Sequence, residues 1–161
     1  MQTEKASYYK ELCFLAFAAL VLLLVFAQPD GAGYSQGCSL ISRYTYPLYH
    51  ASVFHAIVNL IVLRQCLKCY KADCNIIAFY LIAVSYPFPS DKPIMGLSGV
   101  IYAYMAYIAP LVSNKLKYNL TIAAYLAVGF LVPGMAAGVH LYCYALGLLW
   151  GYLNQPICKD E

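Results

Sequence analysis

Charge is scarce in this chain: 11% of its 161 residues are Asp, Glu, Lys or Arg, and 63% are hydrophobic. A soluble domain carries about 25% charged residues. So little charge cannot cover a water-facing surface, which excludes a soluble globule and leaves an integral membrane protein. The net charge of +3 is small and no basic run is dense, so nucleic acid is excluded as a partner. No apolar run alternates with polar residues, which sets strands aside. Repeats and domain linkers are also missing, and the length leaves no room for an added soluble domain. The seven cysteines are scattered. Cys66-Leu67-Lys68-Cys69 has metal-ligand spacing, but a zinc site needs about four ligands and no second close pair exists. Cys66, Cys69 and Cys74 therefore read as ordinary thiols, Cys38 has no obvious partner, and neither a metal nor a cofactor is expected.

What is present is six apolar segments, at 12–27, 49–67, 76–88, 94–112, 120–132 and 139–153. A spanning helix needs ~20 residues, so the shorter segments must recruit flanking polar residues or sit where the bilayer thins. Six spans put both termini on one side. That side holds Lys5, Lys10, Arg64, Lys68, Lys71, Lys115, Lys117 and Lys159, eight of the ten Lys and Arg. The other side holds Arg43 and Lys92. The excess marks the cytoplasmic face, and moving the count by one helix would destroy the division. Glu4 and Glu11 make a poor signal-peptide start, so the first segment is read as a retained helix. The expected layout is one membrane domain over 1–161: a cytoplasmic arm at 1–11, a six-helix core at 12–153 and a cytoplasmic tail at 154–161. Gln28 to Leu48 forms the longest outer connection. Pro87, Pro89 and Pro93 frame the outer loop before Gly96. The seventeen tyrosines read as interfacial belts, Tyr46 among them and Tyr102 excepted.

Polar residues inside lipid are costly and mark function. In the six-span topology, segments two, four and six all start on the outer side. His50 and His55 open segment two, Ser98 opens segment four, and His140 opens segment six. His55 and Asn59 lie ~40° apart on a helix and share a face, whereas His50 is ~140° from His55 and belongs at the bend entering the segment. Gly99 and Ala103, like Gly147 and Gly151, have the spacing of close helix contacts. Spacing alone fits ordinary membrane glycines equally well. Read as contacts, the pairs bring segments four and six together and Ser98 toward His140.

This set holds a nucleophile, a base and hydrogen-bond donors, the requirements of acyl transfer. None of the seven acids lies inside a predicted span, so a Ser98–His140 dyad is expected rather than a triad. His140 acts as general base. The oxyanion is held by the Ser98 backbone N–H at a helix start, with His55 and Asn59 as further donors. A soluble-esterase elbow is excluded: it needs G-x-S-x-G after a strand, and here position 100 is Val.

Together these residues resemble the rhomboid family of intramembrane serine proteases. Gly96-Leu97-Ser98-Gly99 is similar to the family's G-x-S-G, His50-x4-His55-x3-Asn59 to its second-helix signature, and His140 seven residues before Gly147 to its base helix. The resemblance implies an all-α, six-span rhomboid-like bundle and a tyrosine, here Tyr102, stacked on the catalytic histidine. It further implies cleavage of single-span membrane proteins near the outer end of their helix. Segment five and the loop from Pro133 to Gly138 would gate entry from lipid. The chain departs from the family pattern at Val139 (often Ala), at Cys143 (often Gly), and at Ser42-Arg43 where Trp-Arg is frequent. The alternative is a catalytically silent rhomboid-like protein that binds membrane clients. A proton-relay transporter finds no inverted repeat to support it. The expected partners are transmembrane substrates and the lipid bilayer. The expected location is the plasma membrane, with the active site opening outward.

Overall fold

The structure, a computed structural model, describes residues 2–69, 76–132 and 134–154. Tyr70, Lys71, Cys74, Pro133 and Lys159 lie outside the described residues, as do the side chains of residues 2–7 and of Cys69. Among the described residues the fold is all-helical: α1 (Gln2–Phe26), α2 (Leu40–Thr45), a 3-10 turn at Tyr46–Leu48, α3 (Val53–Cys69), α4 (Ile76–Val84), α5 (Ser98–Ile108), a 3-10 turn at Ala109–Leu111, α6 (Lys115–Leu131) and α7 (Ala137–Leu153). Tyr8–Phe26 is by itself long and apolar enough to cross a membrane. Leu40–Leu48 with Val53–Lys68 meets that measure as a pair bent by 69°, and Ser98–Leu111 is a shorter apolar helix.

Helix boundaries depart from the predicted segments for local reasons. Helix α1 begins at Gln2, ahead of the first apolar segment. The second segment becomes helical only at Val53, since Pro47 and the 3-10 turn set the chain direction before it. Segment three stops at Val84, ahead of Pro87 and Pro89, which cannot continue a helix. Segment four begins at Ser98, after Gly96 at φ 111°, a value that L-residues with a β-carbon avoid. Helix α6 starts early at Lys115 because the Asn114 side chain accepts from Lys117 N at 2.9 Å, an N-cap.

Helix α5 is the centre of the bundle. Gly99, Val100, Ile101, Ala103, Tyr104, Ala106 and Ile108 are all buried on it. Phe79, Ala83 and Val84 of α4 cover one side, and α7 covers another with Val139, His140, Cys143, Gly147 and Gly151. The α5–α7 contact is backbone-close. A β-carbon on Gly147 would lie 2.7 Å from Ala103 Cα, and one on Gly151 3.0 Å from Tyr107 Cα. Small residues permit this approach, which replaces the hydrophobic effect as the source of helix association in lipid. Helix α1 packs on α3 and pairs Glu11 with Arg64 at 3.1 Å and Lys68 at 3.4 Å. Helix α6 buries only the narrow stripe Ile122, Leu126 and Gly129. It is tied to the bundle by Tyr118 Oη donating to Met105 O at 2.9 Å and by Tyr144 Oη donating to Asn119 Oδ1.

The two long connections hold each other. Tyr34 and Ile94 exchange both backbone hydrogen bonds at 2.9 Å, Gln36 N donates to Ser90 O at 3.1 Å, and Gly96 N donates to Tyr46 O at 3.2 Å. A β-carbon on Gly33 would meet Pro93 Cβ at 2.9 Å, so glycine lets the loops close. The interfacial reading fails for three tyrosines: Tyr34, Tyr46 and Tyr104 are buried. Tyr46 donates to Ala83 O at 2.8 Å and stacks on Tyr34 at 5.9 Å between ring centroids. A buried ring whose hydroxyl finds a carbonyl works as a core residue, and here it joins the outer loop to α4.

Candidate active site

Ser98 is the first residue of α5, and its preceding residue Leu97 supplies no side-chain cap. The first N–H groups of a helix have no intrahelical acceptor, so those of Ser98, Gly99 and Val100 point out of the helix start, at its positive end. His140 stands in the first turn of α7. The in-register contact of α5 with α7 brings His140 Nε2 to 2.8 Å from Ser98 Oγ. His140 is 7% exposed and Ser98 is half-buried. When Nε2 is unprotonated, the serine hydroxyl donates to it, the arrangement a general base requires. Tyr102, one turn below Ser98, stacks on His140 with ring centroids 4.6 Å apart and planes 21° apart. This fixes the plane in which the imidazole meets the hydroxyl.

Two residues of the second motif, His55 and Asn59, lie beside Gly96. A β-carbon on Gly96 would lie 2.8 Å from His55 Cε1, 3.1 Å from His55 Nε2 and 3.5 Å from Asn59 Nδ2. The backbone two residues before Ser98 therefore lies against both side chains. Asn59 is buried and uses one amide hydrogen on His55 O at 3.0 Å. The second amide hydrogen is left for another acceptor. His55 is half-buried. His50 is set apart from this donor pair. It is fully buried, packs edge-on against His55 at 5.1 Å, and accepts from Leu97 N at 3.3 Å through Nε2. Its Nδ1 faces Leu48 O at 3.3 Å. Accepting at Nε2 assigns the proton to Nδ1, so a neutral His50 ties the 3-10 turn to the residue before Ser98.

Gly99 is enclosed by Cys143 Sγ and Val139 Cγ1, each 3.2 Å from where its β-carbon would be. Gly147 lies two turns below His140, against Ala103, and serves the helix contact rather than the site. Asp91 is exposed. Among the described residues no carboxylate bonds to any of the three histidines, and no three His, Cys, Asp or Glu side chains converge as a metal site requires. Arg43 rests over the Tyr34 ring at 5.5 Å, so it packs inside the outer loop.

Sequence reasoning did not find the loop-to-loop ladder between Tyr34 and Ile94. Nor did it find the bond from Ser85 Oγ to Tyr142 Oη, 3.1 Å long. Neither carries a local signal, since each joins positions more than fifty residues apart.

No family model matches the chain. It is 24% identical to the rhomboid protease GlpG of Haemophilus influenzae over an alignment of 180 positions that covers 91% of this chain and 93% of that protein. The similarity is distant, and it runs the length of both chains.

Proposed function

We propose that this chain is an intramembrane serine endopeptidase in which Ser98 is the nucleophile and His140 the general base. The observation that carries the reading is the 2.8 Å approach of Ser98 Oγ to His140 Nε2 beside the donor corner of His55 and Asn59. The distant similarity to a rhomboid protease supports the same chemistry and a location in a membrane. The scarcity of charge, 11% of residues, supports a lipid surround.

The reaction proceeds in two acyl transfers. Ser98 Oγ attacks the carbonyl carbon of a peptide bond while His140 Nε2 takes the hydroxyl proton. The carbonyl oxygen becomes an oxyanion. It is held by the Ser98 N–H at the helix start, by the free amide hydrogen of Asn59 and by His55. On collapse the C–N bond breaks, and His140 returns the proton to the leaving nitrogen. Water then attacks the acyl-serine, giving a proton to His140. The acyl C–O bond breaks, His140 returns its proton to Ser98 Oγ, the carboxylic acid leaves and the serine is restored. A peptide bond inside a helix is shielded, so the substrate must unwind at the cut.

The six apolar segments are read as spans with both termini cytoplasmic, forming one rhomboid-like membrane domain over the chain. The site then opens toward the outer face of the plasma membrane, and the substrates are single-span proteins cut near the outer end of their helix. Helix α6, held by its narrow buried stripe, is the element that admits them from lipid. A fluorophosphonate should label the wild-type protein in membranes and fail to label Ser98→Ala, and a single-span reporter should be cut only by the former. Labelling that survives Ser98→Ala removes the nucleophile. Absence of both labelling and cleavage in the wild type leaves a client-binding protein instead.

A further inference from the structure

Helices α5 and α7 meet at three successive levels, each four residues apart on both helices: Gly99 with Cys143, Ala103 with Gly147, and Tyr107 with Gly151. At the two lower levels a glycine of α7 lies directly on α5 backbone. At the level of the dyad the geometry is reversed. The glycine belongs to α5, and α7 presents two side chains, Cys143 Sγ and Val139 Cγ1. Val139 and Cys143 are four apart and share a helix face. His140 follows the first of them directly, and Ser98 precedes Gly99. Cys143 is fully buried and Val139 nearly so. Ala83 of α4 closes the remaining side of Gly99, 3.4 Å from the same built β-carbon. The space beside Gly99 is too small for a methyl group unless a neighbour gives way, and packed interiors transmit a change of one methyl group to their neighbours.

We propose that Cys143 is a positioning residue whose bulk, together with that of Val139, sets the spacing of α5 and α7 at the dyad and thereby the Ser98–His140 contact. The two glycine levels form a fixed pivot below, and the side chains at Gly99 set the opening above it. A larger group at position 143 levers His140 away from Ser98. A smaller one lets the imidazole settle out of line. The thiol acts by size, not by its chemistry. The inference rests on reading Ser98 and His140 as a dyad.

The test follows full-length protein in micelles by two readouts. One is the rate of fluorophosphonate inactivation, separated into kinact and KI. The other is the 15N spectrum of the three histidines. Cys143→Val should lower kinact about tenfold or more with KI within about twofold, since a misplacement near 1 Å costs that much or more. It should displace the His140 resonance while those of His50 and His55 stay. Adding Val139→Ala should return both readouts to near the wild type, because volume-conserving changes are tolerated best, and Cys143→Ser should leave kinact within about threefold, because serine is close to cysteine in size and its hydroxyl can donate to the backbone carbonyl one turn back. A wild-type kinact and His140 resonance in Cys143→Val overturn the proposal. So does a double variant that is not restored, or a Cys143→Ser variant as impaired as Cys143→Val. If Cys143→Val loses the His50 and His55 signals and so is not folded, Cys143→Ala decides: a shifted His140 resonance with slower inactivation supports the spacer, and no change in either overturns it. A wild-type protein that is never labelled sinks the protease reading alone, because the His140 resonance reports its bond to Ser98 without turnover.

Discussion

Gly147 sits so close to Ala103 that a β-carbon on the glycine would lie 2.7 Å from the alanine Cα. This contact lies two helical turns below His140 and helps to place it, because it holds α5 and α7 in one register. The same pattern recurs a turn further on, where Gly151 lies against Tyr107.

Gly147→Ala should therefore cost more than a typical surface change. The added methyl meets backbone, which cannot rotate away, so α7 must shift. A loss of about 1–3 kcal/mol is expected, read as a lower unfolding midpoint in micelles. Gly134, with open space around it, provides a contrast: its φ of 85° makes Gly134→Asn the gentle substitution there, with the midpoint near wild type. Equal midpoints for Gly147→Ala and wild type would contradict the close packing.

Gly96→Ala should damage the donor corner more than the fold. The residue is at φ 111°, and its β-carbon would lie 2.8 Å from His55 Cε1. The His55 ring is a side chain and can turn aside, leaving the site without that donor. Cleavage of a single-span reporter should fall ~10²-fold, the scale of one lost oxyanion donor. A variant cleaving at the wild-type rate would show that Gly96 does not hold this corner.

His55→Ala and Asn59→Ala should each slow the chemical step by ~10²–10³ with little change in KM, since a donor aimed at the oxyanion acts only as charge develops. Steady-state kinetics on the reporter separate the two constants. A rise in KM at constant kcat would move these side chains from oxyanion binding to substrate binding.

His50→Ala should act on stability first. It leaves Leu97 N and Leu48 O without the partners they have at 3.3 Å, and a buried unpaired polar group costs about 1–3 kcal/mol. Thermal unfolding should move down clearly. Protein folded at low temperature should still react with fluorophosphonate, more slowly, because the loop before Ser98 has lost its tie to the 3-10 turn. An unchanged midpoint would deny His50 its anchoring role.

Some of this was readable from residues in order. Ser98, His140 and His55 stand out because each is a polar group at the mouth of an apolar run, and Asn59 because it lies within one, where lipid would penalise it. The helical class follows from runs too long and too unbroken for strands. Other features had no local mark. Tyr46 looks like an interfacial tyrosine in sequence, and its burial against Ala83 depends on how the outer loop folds over α4. His50 stands five residues before His55, but its bonds to Leu97 and Leu48 arise because the chain bends before Val53.

The chain's order of residues determined its scarcity of charge, its helices and the chemical types available at their ends, because these depend on composition and on neighbours within a turn or two. Tertiary structure alone decided which ends meet. The 2.8 Å between Ser98 and His140 depends on how α5 and α7 pack along three successive levels, and the support of Gly96 on its bond to Tyr46 O beside the Tyr34–Ile94 ladder. Both join segments that share no local signal, since distance along the chain says nothing of which surfaces are small enough to close on one another.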